Sequence, residues 1–354
     1  MTAVRFNPDM LKLARDVREL TQSELANKTG FTQALVSKIE NGLIAQPSED
    51  VIGKLVDALG FPEPFFYQQD RAEGFPHFHY RKRAKLGAKP LAHINATINI
   101  RRMHISKLAR SYEADIAKPI PLIDLDHSGS TPEKIAEKLR EYWMLPKGPI
   151  HNLTAVIEDA GGIVVPCKFG TALLDGISFR SSGLPPVMCM NREAPADRYR
   201  FSLAHELGHM VLHNFPDDDT KMESEAHRFA AAFLMPAADI RAHISTPKLS
   251  HFGRAKAHWK VSIKALIKRS HDLKLLTDLQ YKNLLVTYSK SFKEGEPFEL
   301  EREAPTRMNE MISYHLNTLG YSVEDLGKLL ALGDEEVRRA YIPAPKGLRL
   351  VVSN

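Results

Sequence analysis

Two cysteines in 354 residues leave no material for a disulfide framework, and both, Cys167 and Cys189, sit in apolar runs ("GGIVVPCKF" and "PPVMCMN"). Buried free thiols are expected instead, as in a protein kept in a reducing compartment. Long hydrophobic runs are missing as well. The longest, around "FAAAFLMPAA", is about half the twenty or so residues that a membrane span requires. The first residues, "MTAVRFNPDML", lack the apolar centre of a secretory signal. These absences point to a cytoplasmic protein with no membrane partner. At 43% hydrophobic and 26% charged, the composition excludes a disordered or fibrous chain. The length suits two or three domains.

The positive charge is unevenly spread. Residues 1–70 carry 7 basic against 10 acidic side chains, whereas residues 71–118 carry 11 against 3. A segment as basic as the second binds phosphates or forms a solvated helix face. Its first part, "FPHFHYRKRAKLGAKP", reads as a linker. A long helical pattern over 91–117 follows, with Ile94, Ile98, Ile100, Met103, Ile105 and Leu108 inward.

"TQSELANKTGFTQALVSKIENG", Thr21 to Gly42, reads as helix, turn, helix. Thr21 and Glu24 have the spacing of a capping box. Gly30 supplies a left-handed turn, and Thr32 caps a second helix that ends at "ENG". Helices over 9–19 and 48–59 flank the pair, a compact helix-turn-helix bundle. The first turn of the second helix offers Thr32, Gln33, Ala34 and Ser37 to base edges, with Gln22 and Lys38 at the DNA backbone. Gln33 suits adenine, or a phosphate. A bundle that binds protein instead is the other reading, and the net negative charge of 1–70 leans that way. The stretch resembles the Xre/Cro/phage-repressor family over about residues 8–67. That resemblance implies double-stranded DNA as partner and a homodimer on paired half-sites.

"RFSLAHELGHMVLH", Arg200 to His213, places His205 and His209 four residues apart on one helix face, within reach of one ion. Glu206 is rotated about 100° from His205, outside the ligand set but able to reach a metal-bound water as general base. Asp197 is the expected cap of this helix. Two imidazoles and a carboxylate suit Zn2+, with another divalent ion such as Mn2+ as substitute. The carboxylate is sought in "KMESEAHRFAAAFLMP". Glu225 shares a face with Phe229, Ala232 and Phe233, where a carboxylate is costly unless paired, and it is the preferred third ligand. Glu223, on the other side of the helix, competes. His213, His227 and His243 are expected outside the ligand set.

Together "DRYRFSLAHELGHMVLH" and "ESEAHRFAAAFLMP" resemble the ImmA/IrrE metallopeptidases, over about residues 130–290. The resemblance implies His205, His209 and Glu225 as ligands and Glu206 as base. It also implies a peptide substrate in a helix-turn-helix repressor or antitoxin. A regulator that uses the domain as a sensor of metal, ligand or partner, without turnover, is the alternative.

Upstream of this helix, "IVVPCKF", "LDGISFR" and "PPVMCMN" read as three short strands. The expected fold is mainly α with a small antiparallel β-sheet, an α+β protein. Its parts are a helix-turn-helix domain over 1–70, a basic helical connector over 71–130, a gluzincin-like metallopeptidase domain over 131–290, and a linker with a C-terminal helical element over 291–354. That last element, 306–343, carries a capping box at Ser322 and Asp325 and reads as a packing or dimerisation module.

Overall fold

The computed structural model describes residues 5–73, 86–123, 125, 129–213, 219–244, 247–293 and 295–342. Most of "FPHFHYRKRAKLGAKP" lies outside them. The chain divides into two compact units. One gathers residues 1–74, 88–113 and 307–354, and the other contains residues 114–306. The protein is α+β.

The first unit begins with four helices, α1 (Pro8–Val17), α2 (Gln22–Thr29), α3 (Gln33–Glu40) and α4 (Glu49–Leu59). Local signals set their ends. The Thr21 hydroxyl accepts from the Glu24 amide and the Glu24 carboxylate from the Thr21 amide, which satisfies donors at the start of α2. Gly30 closes α2 at φ 73°, a conformation that costs other residues a Cβ clash. Met10, Leu11, Leu25, Val36 and Leu55 are fully buried between the helices.

Helix α5 (Ala88–Ala109) lies against α1 and adds Ala96, Ile100 and Met103 to this core. It stops eight residues before the end expected from its apolar pattern, and the chain passes into the second unit at 114. The C-terminal helices α14 (Arg307–Asn317), α15 (Val323–Leu330) and α16 (Asp334–Tyr341) belong to this first unit, and α14 and α15 pack on α5. The Ser322–Asp325 capping box is formed.

His104 of α5 is buried, and with its ring neutral the Tyr341 hydroxyl donates to Nδ1 at 2.6 Å. Burial holds this imidazole well below the usual histidine range; Arg101 and Lys107 act in the same direction, and the Leu330 carbonyl opposes them. The unfolded chain therefore takes up a proton below about pH 6.5 that the folded unit refuses. Stability is whole above that pH and is lost below it, by up to about 1.4 kcal/mol per pH unit. Hydrogen exchange of α5 amides at pH 7.5 and 5.5 measures this, with H104Q as the control. Parallel losses in parent and H104Q would assign the acid sensitivity elsewhere.

The second unit builds on α6 (Pro132–Tyr142), α7 (Leu153–Asp159), strands β1 (Ile163–Cys167), β2 (Gly176–Phe179) and β3 (Val187–Asn191), α8 (Ala196–Leu212) and α9 (Asp219–Leu234). The short α10 (Ala237–Arg241), then α11 (Leu249–Trp259), α12 (Ile263–Asp272) and α13 (Asp278–Ser291) complete it. Thr131 caps α6, its hydroxyl accepting from the Lys134 amide. The sheet corrects the sequence expectation. Its order is β1-β3-β2, with β2 antiparallel but β1 parallel to β3, so it is mixed. The reason is burial. Val187, Met188, Cys189 and Met190 are all fully buried, and a strand that apolar takes the centre, with neighbours on both edges. Pro166, which cannot donate to a ladder, is left on the edge strand β1. Cys167 and Cys189 are buried free thiols.

The polar stretch 295–306 is anchored to this unit. Glu296 accepts from Lys256, from the Tyr288 hydroxyl and from the Ile263 amide at the start of α12, and Glu303 pairs with Arg200.

Candidate metal centre

Helices α8 and α9 meet at a glycine. A Cβ on Gly208 would come within 3.1 Å of the Ala226 backbone, so the glycine lets the two helices approach closely. Beside that contact, His205 Nε2 and His209 Nε2 lie 3.1 Å apart, and Glu223 Oε1 is 3.2 Å from the first and 3.1 Å from the second. Two ring nitrogens and one carboxylate oxygen thus share one point. Ligands about 2.1 Å from a tetrahedral ion stand roughly 3.4 Å from one another, so the trio fits a divalent cation.

Glu225, the carboxylate preferred from the sequence, is not brought to this pair. Its Oε2 is 3.1 Å from His213 Nε2. The inward stripe of α9 is Met222, Ala226, Phe229, Ala230 and Phe233, all buried. At 100° per residue, Glu223 and Glu225 fall on opposite flanks of that stripe. The way α9 lies on α8 turns the Glu223 flank to the imidazole pair and the Glu225 flank to His213. The expectation that a carboxylate at 225 needs a partner is met by a histidine.

Glu206 leaves the helix on the side of the sheet. It is buried, and its Oε2 accepts from the Ser178 hydroxyl of β2 at 2.7 Å. Two residues earlier on the same strand face, Gly176 makes room: a Cβ there would come within 3.0 Å of Glu206 Cγ. Sequence reasoning missed both, although a serine and a glycine alternating in an apolar strand were a visible signal. Asp197 does not cap α8, which begins after Pro195; its carboxylate accepts from Lys256 at 2.7 Å.

A cleft of 1450 Å³ opens onto His205 and Glu223 and runs past Phe201, His227 and Ala231 to Lys268. The His227 ring packs on Phe201 at 5.0 Å. Loss of solvation inside the cleft holds that imidazole below the usual histidine range, with His205 and Lys268 pushing the same way, although part of the ring remains open to solvent.

In the first unit, Thr32 caps α3, accepting from the Leu35 amide. Thr32, Gln33 and Lys38 are exposed, and Gln22 and Ser37 are half-buried. A chain of side chains ties this surface to the core. Gln33 donates to Gln22 at 2.7 Å, Gln22 to Glu40 at 2.8 Å, and Arg15 to both Glu40 oxygens at 2.5 and 3.1 Å. Gln33 is thereby held at the mouth of α3 before any ligand arrives.

Residues 11–66 match the helix-turn-helix family model, and residues 157–271 match the IrrE N-terminal-like domain of peptidase family M78. The chain carries a helix-turn-helix domain fused to an IrrE-like domain. No curated protein matches it. The IrrE-like match contains His205, His209, Glu206, Ser178, Glu223 and Glu225, so the whole candidate centre falls in a domain of metallopeptidase type. The helix-turn-helix match, residues 11–66, contains every candidate DNA contact and supports DNA binding by that bundle. Among the described residues, no helix is long and apolar enough to cross a membrane.

Proposed function

We propose that this protein is a DNA-binding transcription regulator whose IrrE-like domain is a zinc endopeptidase, cleaving a regulatory protein of the repressor or antitoxin type. The observation that carries the reading is the meeting of His205 Nε2, His209 Nε2 and Glu223 Oε1 within 3.2 Å. On the neighbouring helix face stands a buried carboxylate that needs a task. His205, His209 and Glu223 are the proposed zinc ligands, with Mn2+ as substitute.

Zinc, when bound, supplies a Lewis acid that polarises a peptide carbonyl and acidifies water. Glu206 takes the proton from the attacking water at its carboxylate. Ser178 donates to Oε2 of that group, which orients it. The Phe201 and His227 rings line one side of the cleft and suit an apolar or aromatic side chain of the substrate. In the other unit, Gln33 and Thr32 read base edges, and Gln22, Ser37 and Lys38 hold the DNA backbone. A homodimer presents two such surfaces to paired half-sites.

Metal content tests the first step. Purified protein should carry about one zinc or manganese ion per chain and release it to a chelator. E223Q should lose most of that occupancy while DNA retention stays as in the parent. Failure of the apo protein to take up either ion on titration would end the metallopeptidase reading.

A further inference from the structure

We propose that His213 and Glu225 form a hydrogen-bonded relay that holds His209 in its metal-binding tautomer and orientation. The inference rests on the ligand set His205, His209 and Glu223. His209 Nδ1 lies 3.0 Å from His213 Nδ1, and His213 Nε2 lies 3.1 Å from Glu225 Oε2. The His209, His213 and Glu225 side chains are only 3%, 6% and 15% exposed.

The tautomers follow from one requirement. A ligand nitrogen must be bare, so His209 Nε2, which faces His205 and Glu223, carries no proton. The neutral His209 ring therefore keeps its proton on Nδ1 and donates it to His213 Nδ1. His213, accepting there, carries its own proton on Nε2 and donates to the Glu225 carboxylate. Each link fixes the next, and the carboxylate at the far end stabilises the charge that His209 gives up to a cation. The opposite order fails, because a proton on His209 Nε2 would block the shared point.

The geometry also explains why three histidines recur every four residues in "HELGHMVLH". They line one face of α8, with His205 and His209 at the shared point and His213 one turn farther on, where it meets the other flank of α9. Glu223 and Glu225, two residues apart, then have separate tasks: one oxygen for the ion, the other for the histidine behind it. Removing the outer partners of a ligating histidine weakens metal affinity about 10- to 100-fold, whereas removing a ligand costs more.

The test is competitive zinc titration of the full-length protein against a chromophoric chelator. E225L and H213F should each weaken zinc about 10- to 100-fold, and the double variant about as much as either alone, because the relay acts as one unit. E225Q, which keeps the size and an acceptor oxygen, should fall between E225L and the parent. In the cobalt-substituted parent, the hyperfine-shifted His209 Nδ1 proton should exchange slowly with water, and in E225L and H213F quickly. A side chain of merely structural importance would not change that exchange. Affinities within twofold of the parent in both single variants, with E223Q still strongly weakened, would overturn the relay and leave the ligand set standing. Abolished binding in E225L with near-normal binding in E223Q would overturn both, making Glu225 the ligand. Independent, additive losses from E225L and H213F would overturn the relay alone.

Discussion

E206Q is expected to retain its metal and its DNA while losing about 10²- to 10⁴-fold of peptide hydrolysis, the range that a positioned general base contributes. The substitution is nearly isosteric. Glutamine keeps an oxygen to accept from Ser178, and Gly176 leaves the side chain the same room, so the fold has no reason to change. What disappears is the ability to take a proton. The measurement pairs metal analysis with affinity capture from cells. The variant should hold an uncut protein that the parent releases as two fragments. Should E206Q preserve the full regulatory effect of the parent, the domain acts as a sensor of metal or partner and turnover has no part in it.

E40A is expected to destabilise the helix-turn-helix bundle by about 3 kcal/mol, the lower end of the cost of breaking one partner of a buried ion pair. The Glu40 side chain is 4% exposed and that of Arg15 11%. Removing the first strands the second, although Asp16, 2.7 Å from Arg15, tempers the loss. Replacing both with apolar residues should restore much of the stability. It should not restore DNA binding, because Gln22 and Gln33 remain without the carboxylate that aligns them. Hydrogen exchange of α1 and α3 amides reads the first effect, and retention on DNA the second. A double variant as weak in exchange protection as E40A would place the cost in lost packing and not in the stranded charge.

The parts that were legible share a property: their signals act within a turn or two of helix. Thr21 with Glu24, Gly30, Thr32, and Ser322 with Asp325 each satisfy or bend a neighbouring stretch of backbone, and each does so as the sequence predicts. The pairing of His205 with His209 is likewise a matter of helical pitch. The mixed sheet was not legible, because whether β1 runs parallel to β3 depends on which strand is buried from both sides. Nor was the grouping of α14–α16 with α5, between segments some two hundred residues apart.

The third carboxylate marks the boundary. On α9 taken alone, Glu223 and Glu225 are symmetric about the apolar stripe, and no pattern of spacing distinguishes one flank from the other. The chain by itself determined that two acids would stand near the helix of paired histidines, and that a bundle of capped helices would carry Gln33 outward. Only the tertiary structure decided which acid faces which ring. That choice belongs to the side on which one helix lies against the other, set by contacts such as Gly208 on Ala226 that involve both helices at once.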